Sequence, residues 1–283
     1  MYADLHLHTN CSDGTDTPSE LIELAIKNNV RVISITDHDS VNAYKLLLDE
    51  KIPEYIELIT GIELSFEINH NMLHILGYYI DIFDKGLESL LLKMSAEKTE
   101  STRLNFENAI LKGIFSYEWE RVLELNSNQQ RISGVHVVKA MEIDCYNIPG
   151  MSLWDMFRKY FWPANDDYIC ASTVNAYEGI GVIKSAGGIS IIAHPGCLGD
   201  DNIVLDLISH GVGGLEVYHP AHSEEESLRY LNIAEKENLF ISGGTDWHGK
   251  NNDANVTHFG MRGLADENYK ILRQKKIERF KSR

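Results

Sequence analysis

Seven short runs rich in β-branched and apolar residues recur along the chain, and every one carries a His, Asp or Glu. They read YADLHLHT, RVISITDHD, IELITGIELSF, MLHILGYYI, GGISIIAHP, GVGGLEVYH and LFISGGTDWHG. Helical patterns stand between many of them. Thr17-Pro18-Ser19-Glu20 is a capping box with proline at the first helical position, and Ser223 with Glu226 repeats the signature. Strands alternating with helices predict an α/β fold with a parallel sheet. Seven such strands predict a closed or nearly closed, distorted (β/α)7 barrel.

One segment breaks the rhythm. Residues 83–173 are mostly helical in pattern, with no convincing strand pair, and are expected to form an inserted helical subdomain covering the barrel mouth. The barrel itself is then assigned to 1–82 and 174–264, and the basic tail 265–283 to a solvated terminal helix.

Bulk properties narrow the function. The net charge of −16 repels long nucleic acid, whose binding relies on basic patches. No run of about 18 apolar residues exists, so no membrane-spanning helix is expected. The start of the chain lacks a basic stretch followed by an apolar run, and with Met1 so close to the first strand no removable leader is expected. Cys11, Cys145, Cys170 and Cys197 have no C-x-x-C spacing, which argues against a thiolate zinc site and a disulfide scaffold. A cytoplasmic protein with reduced thiols is the expectation.

The chemistry collects at the strand ends. Residues two apart in a strand point the same way, so His6 and His8 stand side by side. Asp13 follows in the next turn, and the later strands contribute His38, Glu63, His74, His194, and then Asp246 with His248. Barrel active sites form at the C-terminal ends of strands. Imidazole and carboxylate together suit zinc, manganese or iron(II). These residues outnumber what one ion can use, so two or three divalent ions are implied, with a bridging carboxylate. Such a cluster polarises a phosphoryl oxygen and generates hydroxide near neutral pH, which makes phosphate esters the natural substrates.

The ordered motifs H-x-H at His6/His8, D-G at Asp13, T-D-H-D around His38, G-x-E at Glu63, H-x-L-G at His74, A-H-P at His194 and D-x-H at Asp246/His248 resemble the PHP family, the polymerase and histidinol phosphatase superfamily. The resemblance covers 1–82 and 174–264 and implies a distorted TIM-like barrel. GGISIIAHPG, GLEVYHPAHS and GGTDWHGKN are most similar to small stand-alone phosphoesterases acting on nucleotides or nucleoside bisphosphates. It further implies one ion on His6, His8, Glu63 and Asp246, a second on Glu63 and His74, and a third on Asp13, His38, His194 and His248.

The insertion departs from that pattern. Related phosphatases often carry Arg-Pro-His where this chain reads Gly134-Val135-His136, so the arginine that would grip phosphate must come from elsewhere. Arg131 and Arg103 are the candidates carried forward, with Arg158 and Lys139 behind them. His219 and His222 end a strand and join His136 as candidate substrate contacts. Asp39 reads as the next helix N-cap, and Asp37 or Asp39 as a support for His38. His210 reads as a helix C-terminal residue, His70 as part of a hairpin turn, and His258 has no motif support.

The expected activity is hydrolysis of a small phosphomonoester, a nucleotide or nucleoside 3',5'-bisphosphate, by a metal-bridged hydroxide. The alternatives are a histidinol-phosphate phosphatase, an exonuclease on short oligonucleotides, and a catalytically silent metal- or nucleotide-sensing module.

Overall fold

A computed structural model describes residues 2–68, 71–249, 259–260 and 262–281, with the side chains of 275–281 left aside. The chain divides into two compact units: Met1–Ser65, Leu73–Glu88 and Ala176–Arg283 form one, Phe66–Met72 and Ser89–Asn175 the other.

The first unit carries a sheet of seven strands in sequence order: β1 (Ala3–Leu7), β2 (Val32–Ile35), β3 (Glu57–Ile68), β4 (Asn71–Tyr78), β5 (Ile189–Ile192), β6 (Gly214–Tyr218) and β7 (Phe240–Gly243). The pairs β1/β2, β2/β3, β5/β6 and β6/β7 are parallel. The segment after β7 returns to β1, where Asp246 N donates to His6 O (2.9 Å) and His8 N to Trp247 O (2.8 Å). These bonds bring the sheet nearly full circle.

One strand departs from the expected all-parallel order, because β4 runs antiparallel to β5. Ile68 and Asn71 are separated by two residues, whereas a parallel crossover needs a dozen or more. His70, in that short connection, and His258 lie outside the described residues.

Helices α1 (Pro18–Lys27), α2 (Asn42–Leu46), α7 (Ala176–Ser185), α8 (Asp201–Ser209) and α9 (Glu224–Lys236) belong to this unit. Thr17/Glu20 and Ser223/Glu226 close capping boxes at α1 and α9, as their spacing predicts. Val41, not Asp39, precedes α2 at its cap, so the cap expected of Asp39 is not made. One end of the barrel is sealed by Leu5, Val32, Ile59, Ile191 and Phe240, packed with Tyr269 and Leu272 of α10 (Asp266–Lys281). The terminal helix is therefore docked rather than solvated: its polar composition conceals two buried anchors.

In the second unit, most of α3 (Lys85–Leu111) joins α4 (Trp119–Leu125), α5 (Gly134–Ile143) and α6 (Leu153–Tyr160) around Phe106, Val122, Val137, Met141 and Met156. Among the described residues no helix is long and apolar enough to cross a membrane.

Candidate metal centre

Strand alternation turns Asp4, His6 and His8 inward on β1, and all three are fully buried. His6 and His8 face Glu63 of β3. Glu63 Oε2 stands 3.2 Å from His6 Nε2, 3.1 Å from His8 Nε2 and 3.2 Å from His38 Nδ1. Its other oxygen stands 3.1 Å from His74 Nδ1 and 3.3 Å from His194 Nε2. Asp246 Oδ1 lies 3.3 Å from His6 Nε2 and 3.1 Å from His8 Nε2. Asp13 faces His248 Nε2 at 3.3 Å and His38 Nε2 at 3.8 Å. The nine expected side chains thus meet in one cluster built from six strands and the turns that follow them.

The cluster has the donors of a cation site. Its buried atoms without a hydrogen-bond partner include His6 Nε2, both nitrogens of His8, Glu63 Oε2, His74 Nε2 and His194 Nδ1. Leaving such atoms unpaired costs roughly 1–3 kcal/mol apiece. Divalent cations would satisfy them together, and an all-nitrogen-and-oxygen donor set suits zinc, manganese or iron(II). Four groups hold their donor atoms within 4.8 Å of one another: His6, His8, Glu63 and Asp246; His8, Asp13, His38 and His248; His38, Glu63 and His74; and His6, Glu216 and His219. By distance, His194 stands with Glu63 and His74 rather than with Asp13, His38 and His248, His8 stands with those three, and His38 also stands with Glu63 and His74.

Electrostatics couple the cluster. Burial would raise the Glu63 carboxyl, but His6, His38 and His74 hold it well below the usual carboxylate range. Asp246 is likewise held down, against burial, by His6 and His248. Burial lowers His6, yet in the absence of a cation Glu216, Glu63 and Asp246 carry it well above the usual histidine range, and a cation on Nε2 would displace that proton.

The backbone is bent to aim these groups. Asp39, His194 and Asp246 occupy the left-handed region at φ 50°, 28° and 53°. Non-glycine residues held there are strained and concentrate at functional sites. Gly244 admits the close approach of the β7 end to β1, since a Cβ on it would lie 2.4 Å from both N and Cβ of His6.

Several supports were not apparent from the motifs. Glu216 of β6 is fully buried, with Oε1 3.0 Å from His6 Nδ1 and Oε2 accepting the backbone N–H of His194 at 2.8 Å. Asp4 accepts from Thr245 N (2.9 Å) and Thr245 Oγ1 (2.7 Å), and burial pushes its pKa up to about 7. A lone carboxylate in an apolar strand is the signal that would have found both, because such a group is buried only when paired. Asp37 does not support His38. It accepts from Thr9 N, Thr9 Oγ1 and Ser12 Oγ, fixing the turn that carries Asp13. Asp39 instead accepts from Ser65 N.

The expected substrate contacts divide. His219 reaches the cluster, with Nε2 3.4 Å from Asp246 Oδ2. His222 does not offer a free nitrogen: Nδ1 pairs with Val217 O at 3.0 Å, and Nε2 accepts from Gly196 N at 3.1 Å. Its imidazole holds the turn after β5 against β6, and burial lowers its pKa. His136, Arg131 and Arg103 lie in the second unit. The first fills the glutamate's place in the capping box of α5, where Ser133 N donates to His136 Nδ1 at 3.0 Å. Arg103 is gripped by Glu100 and Glu107 of its own helix, so its fork is already filled. Arg131 is half-buried, and its charge acts on the Tyr168 phenol. Arg158 pairs with Asp155. His210 ends α8, as expected, with Nδ1 2.8 Å from Asp206 O.

A seven-stranded barrel with this His, Asp and Glu cluster defines a metal-dependent hydrolase. The PHP domain model matches residues 4–196, and the chain belongs to that family of metal-dependent phosphoesterases. It is 28% identical to the phosphoribosyl 1,2-cyclic phosphate 1,2-diphosphodiesterase of Eggerthella lenta, over 93% of this chain and 99% of that protein. Identity is also 28% to the 3',5'-nucleoside bisphosphate phosphatase of Chromobacterium violaceum, over 87% and 86%. The 5'-3' exoribonuclease Rnm of Salmonella typhimurium is a third relative at 28%, over 87% and 84%. Among solved structures, a Bifidobacterium adolescentis protein provisionally described as a metal-dependent phosphoesterase superposes with a TM-score of 0.81 at 26% identity, covering 96% of this chain and 95% of that one.

Proposed function

We propose that this phosphoesterase removes phosphate from a small phosphomonoester, a nucleotide or nucleoside 3',5'-bisphosphate. The observation that carries the hydrolytic reading is Glu63, whose two oxygens are faced by five imidazoles from four separate segments. Divalent ions bound there would act as Lewis acids on the phosphoryl group and lower the pKa of the attacking water.

The nine side chains His6, His8, Asp13, His38, Glu63, His74, His194, Asp246 and His248 are assigned to holding the ions. Glu216 fixes the His6 ring so that Nε2 faces Glu63, and Asp37 fixes the turn bearing Asp13. A net charge of −16 favours a small substrate over a long polyanion. The bisphosphate phosphatase relative supports the substrate class.

The exoribonuclease relative supports a second reading, trimming of short RNA from its 5' end. One panel separates them. Protein loaded in turn with Mn²⁺, Zn²⁺ or Fe²⁺ is assayed on adenosine 3',5'-bisphosphate, phosphoribosyl 1,2-cyclic phosphate, histidinol phosphate and a 5'-phosphorylated RNA oligonucleotide. A kcat/KM on the bisphosphate at least tenfold above the others is the expected result. A mononucleotide ladder from the RNA at higher efficiency would replace this reading with the exonuclease.

A further inference from the structure

His219 follows β6 and is 3% exposed. Its Nδ1 accepts the backbone N–H of Ala221 at 3.1 Å. A neutral imidazole carries one N–H and one lone pair, so the ring proton sits on Nε2. That nitrogen has no hydrogen-bond partner of good geometry, and Asp246 Oδ2 stands 3.4 Å away.

Its neighbours are set the other way. His6 points Nδ1 at the Glu216 carboxylate, which leaves the Nε2 lone pair facing Glu63. His248 points Nδ1 at the Asp246 carbonyl (2.9 Å), which leaves its Nε2 lone pair facing Asp13. Cations bind a lone pair and not an N–H. Distance alone groups His219 with His6 and Glu216. Glu216, however, already spends one oxygen on the His6 ring and the other on the His194 amide.

We propose that His219 is not a metal ligand but a buried donor, its Nε2–H directed at an oxygen of the bound phosphate ester. This rests on the phosphoesterase reading above. A preorganised donor in a dry site is worth far more than one in water, because its hydrogen bond strengthens as charge develops on the oxygen.

The test uses His219→Leu, His219→Gln and His6→Gln, each purified with Mn²⁺ supplied. Metal per chain is counted by elemental analysis, and inorganic phosphate binding is measured by calorimetry. The kcat/KM is then taken on the best ester found. His219→Leu is expected to keep the wild-type ion count, bind phosphate about tenfold more weakly and lose on the order of 10²-fold in kcat/KM. Glutamine can place an amide N–H near the Nε2 position, so His219→Gln is expected to recover most of both losses. His6→Gln is expected to lose metal.

Loss of an ion in His219→Gln with native circular dichroism would overturn the proposal in favour of a ligand. Unchanged phosphate affinity and kcat/KM in His219→Leu would reduce the residue to packing. Should the leucine variant fail to fold, the ion count and phosphate affinity of the glutamine variant still decide. If no ester is hydrolysed by the wild type, the phosphoesterase reading fails separately, while these two binding measurements still settle the role of His219.

Discussion

Glu216 Oε1 stands 3.0 Å from His6 Nδ1, and the two fully buried groups come from strands 210 residues apart in the chain. The contact keeps a proton on Nδ1 of His6 and leaves Nε2, beside Glu63 and Asp246, to offer its lone pair to a cation. Such partners of metal-binding histidines commonly control affinity by 10–100-fold.

Glu216→Gln is therefore expected to weaken metal binding by roughly 10–100-fold while the chain stays folded. The amide has one acceptor and must serve two donors, the His6 ring and the His194 backbone. Its NH₂ will oppose one of them. Competition with a metal-sensitive dye gives the affinity, and an unchanged value would remove Glu216 from the site.

Gly244 supplies the second prediction. A methyl group there would sit 2.4 Å from the His6 backbone nitrogen, which is too close for any relaxation of a side chain alone. Gly244→Ala must push β1 and the β7 end apart. Overpacking of this kind costs roughly 1–3 kcal/mol. Urea unfolding should show that loss together with weakened metal binding, because the displaced strand carries both His6 and His8.

The barrel and its cluster were legible because each strand announces itself by β-branched residues and each ligand lies in a strand or in the turn that follows one. The direction of β4 was legible too, had the two-residue gap after Ile68 been weighed against the length of a parallel crossover. What stayed hidden were the residues acting through others. Glu216 and Asp4 look like ordinary carboxylates until their partners, Thr245 and His6 among them, arrive from distant segments. His222 and His219 stand three residues apart with the same residue type. Only the atoms facing each ring show that one is saturated by backbone and the other is not. Arg103, similarly, loses its appeal as a phosphate grip once Glu100 and Glu107 are seen to hold it.

His222 gives the pH prediction. Its lowered pKa means that the folded protein keeps the ring neutral where the unfolded chain, near 6.5, takes up a proton. The contribution is fully present above pH 6.5 and shrinks as pH falls toward the depressed folded value. His222→Asn removes it. The stability difference between wild type and variant, from urea unfolding, should be larger at pH 7.5 than at pH 5.5. A difference that grows on acidification would mean that the folded ring is protonated.

Removal of metal tests the whole cluster at once. Without cations, Glu63 and the imidazoles around it leave several buried atoms unpaired. Ions that bind the folded chain and not the unfolded one stabilise it by about 4 kcal/mol when present at 1,000 times Kd. For a chain of this size that is a Tm change on the order of 10 °C. Chelation followed by dialysis should lower Tm by that order and abolish phosphate release, and adding back one divalent metal at a time should restore both together. The metal that restores both at the lowest concentration would be the one this donor set prefers. A chelated protein with unchanged Tm and full activity would mean that the cluster binds no ion, and that its imidazoles are held by their own protons and carboxylates instead.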